Sequence, residues 1–527
     1  MRRIIFAILF SFCACSSAIA IQVSGDVWGV WRANNNPYEV TGDLHVPQES
    51  TLVIQPGCYI DFQGYYTFIV DTNAVFQAVG TENDSITFTA SDTTDGWYGL
   101  RLFSADDSCL LSYCVIEWGN IPFIDPQEPY PDGAGIYAHN TNIIVSNCLI
   151  ENCRTVAGYG GGMCLGGNSE ILIKDNVIRN NISGFGGAAV WCWYSAINIV
   201  NNVIKNNITY YILGGEEAGG LGFSSCDVLL RNNVIDHNYC GTSAGGIYVG
   251  YSTGLIDSNI ISGNIASEYG GGIFFNRSQA TLKHNLIINN HAYIISGLKD
   301  LLSDLIICNN TIHGNESFPG GWAINISQDG SDTLLNNILW GNNANSIGLI
   351  GDTINFLYNN IEGGWPGEGN IDADPLFVDP DAGDFHLSWA NYPIDDETKS
   401  PCIDAGAPWS PYDPDSTIAD MGALPFDQLV GIDGLKDLLP KSARLFQNYP
   451  NPFNTSTAIS YTLPHQSDVT IDIYDILGRK VQTLVSRNQQ AGLHRAIWQA
   501  DEFSTGIYFY KLRASDYSET KKMMLLE

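Results

Sequence analysis

Short apolar segments recur along most of the chain, and each is bounded by glycine or asparagine. Between residues 147 and 342 the pattern Asn-x-[Ile/Leu]-x-x-Asn occurs eight times, at intervals of 25 to 31 residues. The apolar runs are rich in Ile and Val and lack a 3.6-residue period, so the pattern predicts short strands and not helices. The first asparagines of the eight copies are Asn147, Asn176, Asn202, Asn233, Asn259, Asn285, Asn310 and Asn337.

A second element precedes these copies at an almost constant distance of 12 to 14 residues. It is a Gly or Ala followed by an apolar residue, as at Gly135-Ile136 and Gly246-Ile247. A fixed internal spacing over many copies indicates one structural unit, repeated and stacked. Two or three strands per copy make one coil of a solenoid, in which equivalent positions of successive coils lie about 4.8 Å apart.

We therefore predict an all-β protein in which residues 40–370 form one right-handed parallel β-helix. The Ile and Leu positions form its interior, and Asn147 to Asn337 form a column along its axis, where asparagine tolerates left-handed bends and shares amide hydrogen bonds. Residues 40–112 alternate apolar and polar positions and supply about three first coils. Asn360 begins a degraded copy, and the Pro- and Asp-rich residues 371–424 close the end of the solenoid.

The motifs of the two ends add a resemblance to a known family. The coil motifs, the opening STLVIQPGCYIDF and the closing stretch that starts DADPLFVDP resemble the right-handed parallel β-helix proteins of the pectate-lyase-like superfamily. The resemblance covers most of residues 25–425. It implies the fold but says almost nothing about chemistry, because one fold hosts many functions.

The tail differs from the repeats. From Leu445 the sequence alternates with period two, which predicts a sandwich of about seven short strands. The motifs NPFN, IYDILGR, TGIY and KKMMLL resemble the C-terminal type A sorting domain of type IX secretion, itself similar to an Ig-like module. The resemblance implies export across the outer membrane by the type IX secretion and surface-attachment machinery. A plain adhesive Ig-like module is the alternative.

The N-terminus predicts a secretory signal peptide over residues 1–20. Arg2 and Arg3 precede an apolar segment, and Ala18-Ile19-Ala20 forms a small-x-small cleavage site. A lipoprotein anchored through Cys15 is the alternative. We predict no transmembrane segment and four parts: the signal peptide, a β-helix with closing segments over 21–424, a linker over 425–443, and the sorting domain over 444–527.

Charge and cysteine content narrow the choice of partners. Residues 21–443 carry 48 acidic against 13 basic side chains, whereas the tail carries 8 against 9. So acidic a body disfavours nucleic acid and anionic membranes as partners. Eleven cysteines follow the signal, an odd number at irregular spacing, which favours buried stacked thiols over a disulfide framework.

A column of aromatic residues predicts the ligand-binding face. All large differences in coil length fall between the second Asn of a coil and the next Gly-apolar element. Insertions that share one corner of a solenoid usually border its binding face. On the strand that follows the Gly-apolar element, the second residue should point outward. An aromatic side chain at this position could stack on a sugar ring. Mutual packing of these side chains under the insertion loops is the alternative. The candidate substrate-binding residues are Tyr137, Trp191, Trp193, Tyr248 and Phe274.

Catalytic and metal-binding candidates are weaker. Basic residues lie in dispersed outward rows, as Lys174, Arg231 and Lys283 do, without the carboxylate cluster that a calcium-dependent lyase uses. Asp372, Asp374 and Asp379 offer oxygen ligands for Ca²⁺, although the neighbouring prolines favour ordinary turns. The insertion loops hold carboxylates that suit a glycosidase acid–base pair, or that only solubilise the loops: Asp125, Glu128, Asp132, Glu216 and Glu217.

The sequence thus predicts a secreted or cell-surface β-helix protein that binds extracellular polysaccharide and has no assigned catalytic residue. Two alternatives stay open. One is a polysaccharide lyase or glycoside hydrolase, and the other is a structural or adhesive spacer. Ca²⁺ is the single cofactor candidate.

Overall fold

The computed structural model describes residues 20–122, 131–210, 218–318, 320–326, 332–342, 345–349, 354–428, 443–448, 451–463, 467–489, 492–500, 503–514 and 517–526. The chain is all-β: a parallel β-solenoid of about 12 turns, with additional antiparallel sheets at the C-terminus. It divides into two compact units, Met1–Val228 with Tyr239–Gly241, and Leu229–Asn238 with Thr242–Glu527. Across the described ranges, no helix has the length and apolar character that crossing a membrane requires.

Each regular coil contains four short strands. In one coil of the first unit these are the first strand Ile136–His139, the second Ile143–Ser146, the third Leu149–Glu151 and the fourth Arg154–Thr155. Every strand pairs in parallel register with its counterpart one coil later, so that Ile136 lies beside Met163. The fourth strand, only two residues long, was not predicted from the sequence.

The first unit begins the solenoid at Ile21, earlier than the predicted residue 40. Its opening strands are Ile21–Asp26, Gly29–Trp31, Tyr38–Val46, Thr51–Ile54, Tyr59–Phe62, Phe68–Val70, Val75–Val79 and Ile86–Ala90, with a 3-10 turn at Ala33–Asn35. The first strands that follow are Leu100–Phe103, Ile136–His139, Met163–Gly166, Val190–Trp193 and Leu221–Ser224. The second strands are Leu110–Ser112, Ile143–Ser146, Glu170–Lys174 and Ala196–Val200. The third strands are Cys114–Glu117, Leu149–Glu151, Val177–Arg179 and Val203–Lys205, and the fourth are Asn120–Ile121, Arg154–Thr155, Ile182–Ser183, Ile208–Thr209 and Tyr239–Cys240.

The second unit repeats the same coil plan, and the strand Asp227–Arg231 spans the boundary between the units. Its first strands are Ile247–Gly250, Ile273–Asn276, Ile295–Leu301, Trp322–Ile326 and Asn345–Leu349. The second strands are Thr253–Asp257, Gln279–Lys283, Asp304–Cys308, Thr333–Leu335 and Asn355–Leu357. The third strands are Val234–Asp236, Ile260–Ser262, Leu286–Ile288, Thr311–His313, Ile338–Trp340 and Asn360–Ile361, and the fourth are Ile265–Ala266, His291–Ala292 and Glu316–Ser317.

The interior consists of stacked aliphatic columns, as predicted. The middle residue of the third strand points inward in every coil, and Ile178, Ile204, Ile235 and Ile287 are each fully buried. Because β-branched side chains stack well on a pleated surface, repetition of Ile at this position favours the strand and fills the core. Truncating one such side chain to Ala costs roughly 2–5 kcal/mol.

The closing segment does more than end the solenoid. It contains the strands Phe377–Asp379 and Asp384–Leu387, joined by the 3-10 turn Pro380–Ala382. Phe385 and Ala423 pack against Leu286 and Ile288, which lie on the outer side of the third strands. The segment therefore folds back and covers an apolar outer surface of the last coils, which the sequence did not predict.

The tail folds into seven strands, as predicted, in one three-stranded and one four-stranded antiparallel sheet. The strands are Arg444–Leu445, Ser456–Leu463, Ser467–Asp475, Lys480–Gln489, Gly492–Gln499, Gly506–Ala514 and Tyr517–Leu525. Fully buried Tyr461, Trp498 and Tyr510 dominate its core. The NPFN motif binds the last strand, because Asn451 Oδ1 accepts the Met524 N–H at 2.8 Å.

Candidate functional site

Three of the four bends of each coil carry a ladder of side-chain hydrogen bonds. At the bend between the first and second strands a hydroxyl accepts the backbone N–H of the preceding coil, as Ser278 Oγ does from Ser252 N at 3.1 Å. At the next two bends asparagine takes this role. Since each ladder residue binds the next coil, these bends fix the geometry of the surfaces between them.

The asparagine ladders are buried and doubly bonded. Asn259 Oδ1 accepts both the backbone N–H and the side-chain Nδ2 of Asn233, each at 2.9 Å. Asn264 Oδ1 bonds Asn238 in the same way at 3.0 Å. The residue before each ladder asparagine has the positive φ, for example 55° at Asn232. The sequence analysis assigned the shared amide hydrogen bonds and the left-handed backbone to the same asparagine. In the structure the ladder asparagine makes the hydrogen bonds, and the residue before it has the left-handed backbone.

This separation corrects the predicted column at its start. Asn147 has φ 53° and is itself the left-handed residue, so it stands outside the ladder. Cys148 occupies the ladder position, because its N–H donates to Asn176 Oδ1 at 2.8 Å. In the motif NCLIEN the first asparagine therefore lies one residue before the ladder position that the first asparagine occupies in the later copies.

Cysteines continue the asparagine ladders toward the N-terminus. The Cys114 N–H donates to Cys148 Sγ at 3.3 Å, and the Cys148 thiol donates to the Ser146 carbonyl at 3.2 Å. All eleven described cysteines are free and ten are buried, which confirms the predicted stacked thiols. Burial raises the pKa of the Cys153 thiol to about 12.

The fourth bend, between the fourth strand and the next first strand, contains the variable-length insertions. Backbone bonds join successive coils there, such as Gly133 N to Tyr159 O at 2.9 Å. The insertion-loop carboxylates Asp125, Glu128, Glu216 and Glu217 lie outside the described residues.

The predicted aromatic column lies largely beneath this bend. Tyr137, Trp191 and Tyr248 are only 3%, 6% and 3% exposed, so their expected exposure is wrong. At this bend a Cβ on Gly187 would lie 2.9 Å from Trp191 Cβ, and a Cβ on Gly222 of the next coil would lie 2.2 Å from the Trp191 ring. Trp191 also stacks on Tyr159 with centroids 4.4 Å apart. The alternation of inward and outward side chains along a strand correctly predicted that these aromatic side chains point outward. It could not predict which residues cover them.

Arg101, which the sequence did not single out, anchors the base of the first insertion. It is 2% exposed and donates to the carbonyls of Asp132, of Gly133 at 2.9 Å and of Tyr98 at 2.6 Å. Burial raises the pKa of Asp132, whose Oδ1 accepts the Tyr159 N–H at 2.7 Å. Asp132, a candidate catalytic carboxylate, therefore holds two loops together. The sequence could have indicated this role, because Arg101 is a charged residue that lies beside Tyr137 in the column of mostly aromatic residues.

One accessible part of the predicted column lies in the first unit. Trp193 is half-buried and stacks on His139 with centroids 6.1 Å apart and an interplanar angle of 15°. Gly166 makes room for the indole, because a Cβ there would lie 2.4 Å from the Trp193 carbonyl oxygen and 2.5 Å from its ring. The next residue, Tyr194, is 63% exposed.

The corresponding surface of the second unit contains Phe274, the fifth predicted residue. Phe274 is half-buried and meets the buried Tyr248 edge to face at 5.7 Å. Beside it, Arg277 Nη1 donates to Tyr251 Oη at 3.2 Å. Phe274 thus keeps some accessible surface, whereas Tyr248 does not.

A more exposed aromatic pair lies at the fourth bend of the second unit. Tyr293 and Phe318 follow the fourth strands of consecutive coils, are 56% and 57% exposed, and stack with centroids 4.9 Å apart. On the same strands His291 Nδ1 lies 3.9 Å from Glu316 Oε2, and both side chains are more than half exposed. We call these four residues the Tyr293 patch. Sequence reasoning missed it because it considered the strand after the glycine and not the bend before it.

The fold and its repeats decide the family. The model of the right-handed β-helix region matches residues 77–242 and 188–361, which together span more than half of the chain. The chain belongs to the right-handed β-helix family. No curated protein and no solved structure gives a match.

The tail of this β-helix protein matches the secretion system C-terminal sorting domain over residues 447–526. The protein is therefore exported to the cell surface or the extracellular space by the type IX machinery.

The structure does not assemble a metal site in the β-helix from the predicted aspartates. Asp374 and Asp379 each accept a backbone N–H of their own turn, from Leu376 and Ala382, and Asp372 accepts the N–H of Gly363, nine residues earlier. Among the described residues no group of three or more His, Cys, Asp or Glu side chains is placed to hold a metal ion. Asp374 and Asp379 therefore cap their turns, and Asp372 links two neighbouring segments of the chain.

Proposed function

We propose that this exported β-helix protein binds an extracellular glycan through exposed aromatic side chains. The Tyr293 patch carries the proposal, since two stacked rings more than half exposed on consecutive coils present an apolar surface beside polar groups. Carbohydrate sites combine such rings, which contact the apolar faces of sugars, with a few polar groups that bind hydroxyls. Trp193 and Tyr194 offer a smaller surface of the same kind.

The charge of the protein points to the class of glycan. A formal net charge of −32 repels polyanions, so a neutral polysaccharide fits better than a polyuronate. Two of the basic side chains that a lyase could use are engaged, because Arg231 and Lys283 both pair with Asp257, at 3.1 and 3.9 Å. This pairing supports binding over β-elimination.

Truncation of the Tyr293 patch tests the proposal. The purified protein is screened on an array of neutral and acidic glycans, and the tightest ligand is titrated by calorimetry. Tyr293→Ala and Phe318→Ala should each weaken binding by about 1 kcal/mol, roughly fivefold in Kd, by loss of ring stacking. Their melting temperatures should barely change, because exposed side chains leave no core cavity.

Tyr412→Ala is the matched control, since Tyr412 is 72% exposed but belongs to the closing segment. It should bind as the unmodified protein does. Unchanged affinity in both patch variants, or an equal loss in the control, contradicts the proposal.

A further inference from the structure

Two strongly exposed aliphatic side chains lie next to each other at one hairpin turn of the sorting domain. Ile476 and Leu477, between the strands Ser467–Asp475 and Lys480–Gln489, are 65% and 73% exposed. Hairpin turns are usually polar, because turn side chains point into water. Two adjacent aliphatic residues at such a site therefore need another explanation than the local fold.

Hydrogen bonds fix the backbone of the turn that carries these side chains. Asp475 Oδ1 accepts the N–H groups of Leu477 and Arg479, both at 2.9 Å. The Arg479 guanidinium binds Asp475 Oδ2 through Nε and Nη2, each at 2.7 Å. Gly478 supplies the left-handed residue, with φ 75°. Preorganisation of this kind favours binding, because the backbone of the turn loses little conformational freedom on contact.

The charged side chains around the turn carry a small excess of positive charge, three basic against two acidic. The side chains of Arg479, Lys480 and Arg513 are 74%, 53% and 48% exposed, and they surround the carboxylates of Asp472 and Asp475. An apolar tip with a basic rim is complementary to an apolar pocket with an acidic rim.

We propose that Ile476 and Leu477 insert into an apolar, acid-rimmed pocket of the type IX export machinery. The sorting domain must contact that machinery, and this turn is a rigid apolar projection built for insertion. The rest of the domain then supplies the frame that presents the tip.

The test measures export of the full chain in a bacterium with a type IX pathway. Ile476→Ser combined with Leu477→Ser should lower the surface and medium fraction by about tenfold or more, as removal of a central apolar anchor does. The protein should accumulate in the periplasm with an unchanged melting temperature. Ile476→Val combined with Leu477→Met keeps the tip apolar and should be exported normally.

Ile497→Ser is the matched control, because Ile497 is 55% exposed on a strand of the same domain, away from the turn. It should leave export unchanged. The proposal is overturned if the double serine variant reaches the surface normally. It is also overturned if Ile497→Ser retains the protein equally, or if the Val/Met variant fails to be exported.

Discussion

At the scale of single residues, Asp332 shows how burial makes one side chain sensitive to pH. It is fully buried next to the second strand Thr333–Leu335, and its Oδ1 accepts the Leu305 N–H at 2.7 Å. Among the described residues its Oδ2 has no hydrogen-bond partner. Burial, with the charges of Asp300 and Asp304 in addition, raises the pKa of Asp332 to about 7.

The raised pKa of Asp332 predicts a loss of stability as the pH rises. Below pH 4 the carboxyl is protonated in both states, whereas between pH 4 and its folded pKa of about 7 only the unfolded chain ionises. The free energy of unfolding should therefore fall across this window, by on the order of 3 kcal/mol for this residue. Asp332→Asn, which keeps an acceptor for the Leu305 N–H, should flatten the curve in urea titrations at pH 4.5 and 7.5. An unchanged difference between the two pH values would contradict this origin.

The residue scale is also where sequence reasoning was least reliable. Direction along a strand follows from alternation, so Trp191 and Tyr248 were correctly placed on the outer side. Trp191, for example, packs against Tyr159 and against Gly222 of the next coil, which are 32 and 31 residues away, and no local pattern encodes such contacts. The same holds for Arg101, whose partners Asp132 and Gly133 are 31 and 32 residues away.

At the scale of elements, the ladders explain why the coils are so regular. Each ladder residue satisfies one backbone N–H of the preceding coil, a group that would otherwise be buried without a partner. The Asn-x-[Ile/Leu]-x-x-Asn pattern therefore predicted the positions of the two asparagine bends in most coils. It failed at Cys148, where a thiol performs the same task, because composition alone does not show that sulfur accepts a hydrogen bond.

Substitution of Cys148 tests the ladder directly. Cys148→Ala removes the acceptor for the Cys114 N–H and should lower the free energy of unfolding by about 1–3 kcal/mol. Cys148→Asn should be neutral or stabilising, since Asn202 already shows an asparagine amide donating to the carbonyl two residues earlier, at 3.1 Å. Denaturant midpoints measure both. Equal destabilisation by the two variants would show that volume, and not the hydrogen bond, matters at this position.

At the scale of the whole molecule, export and the proposed glycan binding belong to different parts of the chain. The strands of the tail pair only with one another among the described strands, and the tail has its own core around Trp498 and Tyr510. The alternation of residues 444–527 and their motifs were enough to predict this from the sequence. The fold-back of the closing segment was not, because its Phe385 and Ala423 contact coils about 100 residues earlier.

Deletion of residues 444–527 should separate the two roles. The β-helix should stay folded, since each coil is stabilised mainly by its neighbours. The truncated protein should accumulate in the periplasm, because the sorting domain is gone. Circular dichroism of the truncated protein and fractionation of the cells measure the two effects. Surface display of the truncated chain at normal levels would show that the tail is not the sorting signal.

The ladders divide each coil into a part that resists change and a part that accepts it. At three bends an inserted residue would break the hydrogen bond between a buried amide, thiol or hydroxyl and the backbone N–H of the preceding coil. At the fourth bend successive coils are joined by backbone bonds, so a longer loop leaves the three side-chain ladders in place. Natural variation can therefore remodel this one edge, lengthening or replacing loops coil by coil, while the column beneath keeps its register. The protein resembles an antibody domain in this respect: a conserved scaffold with one edge free to diversify.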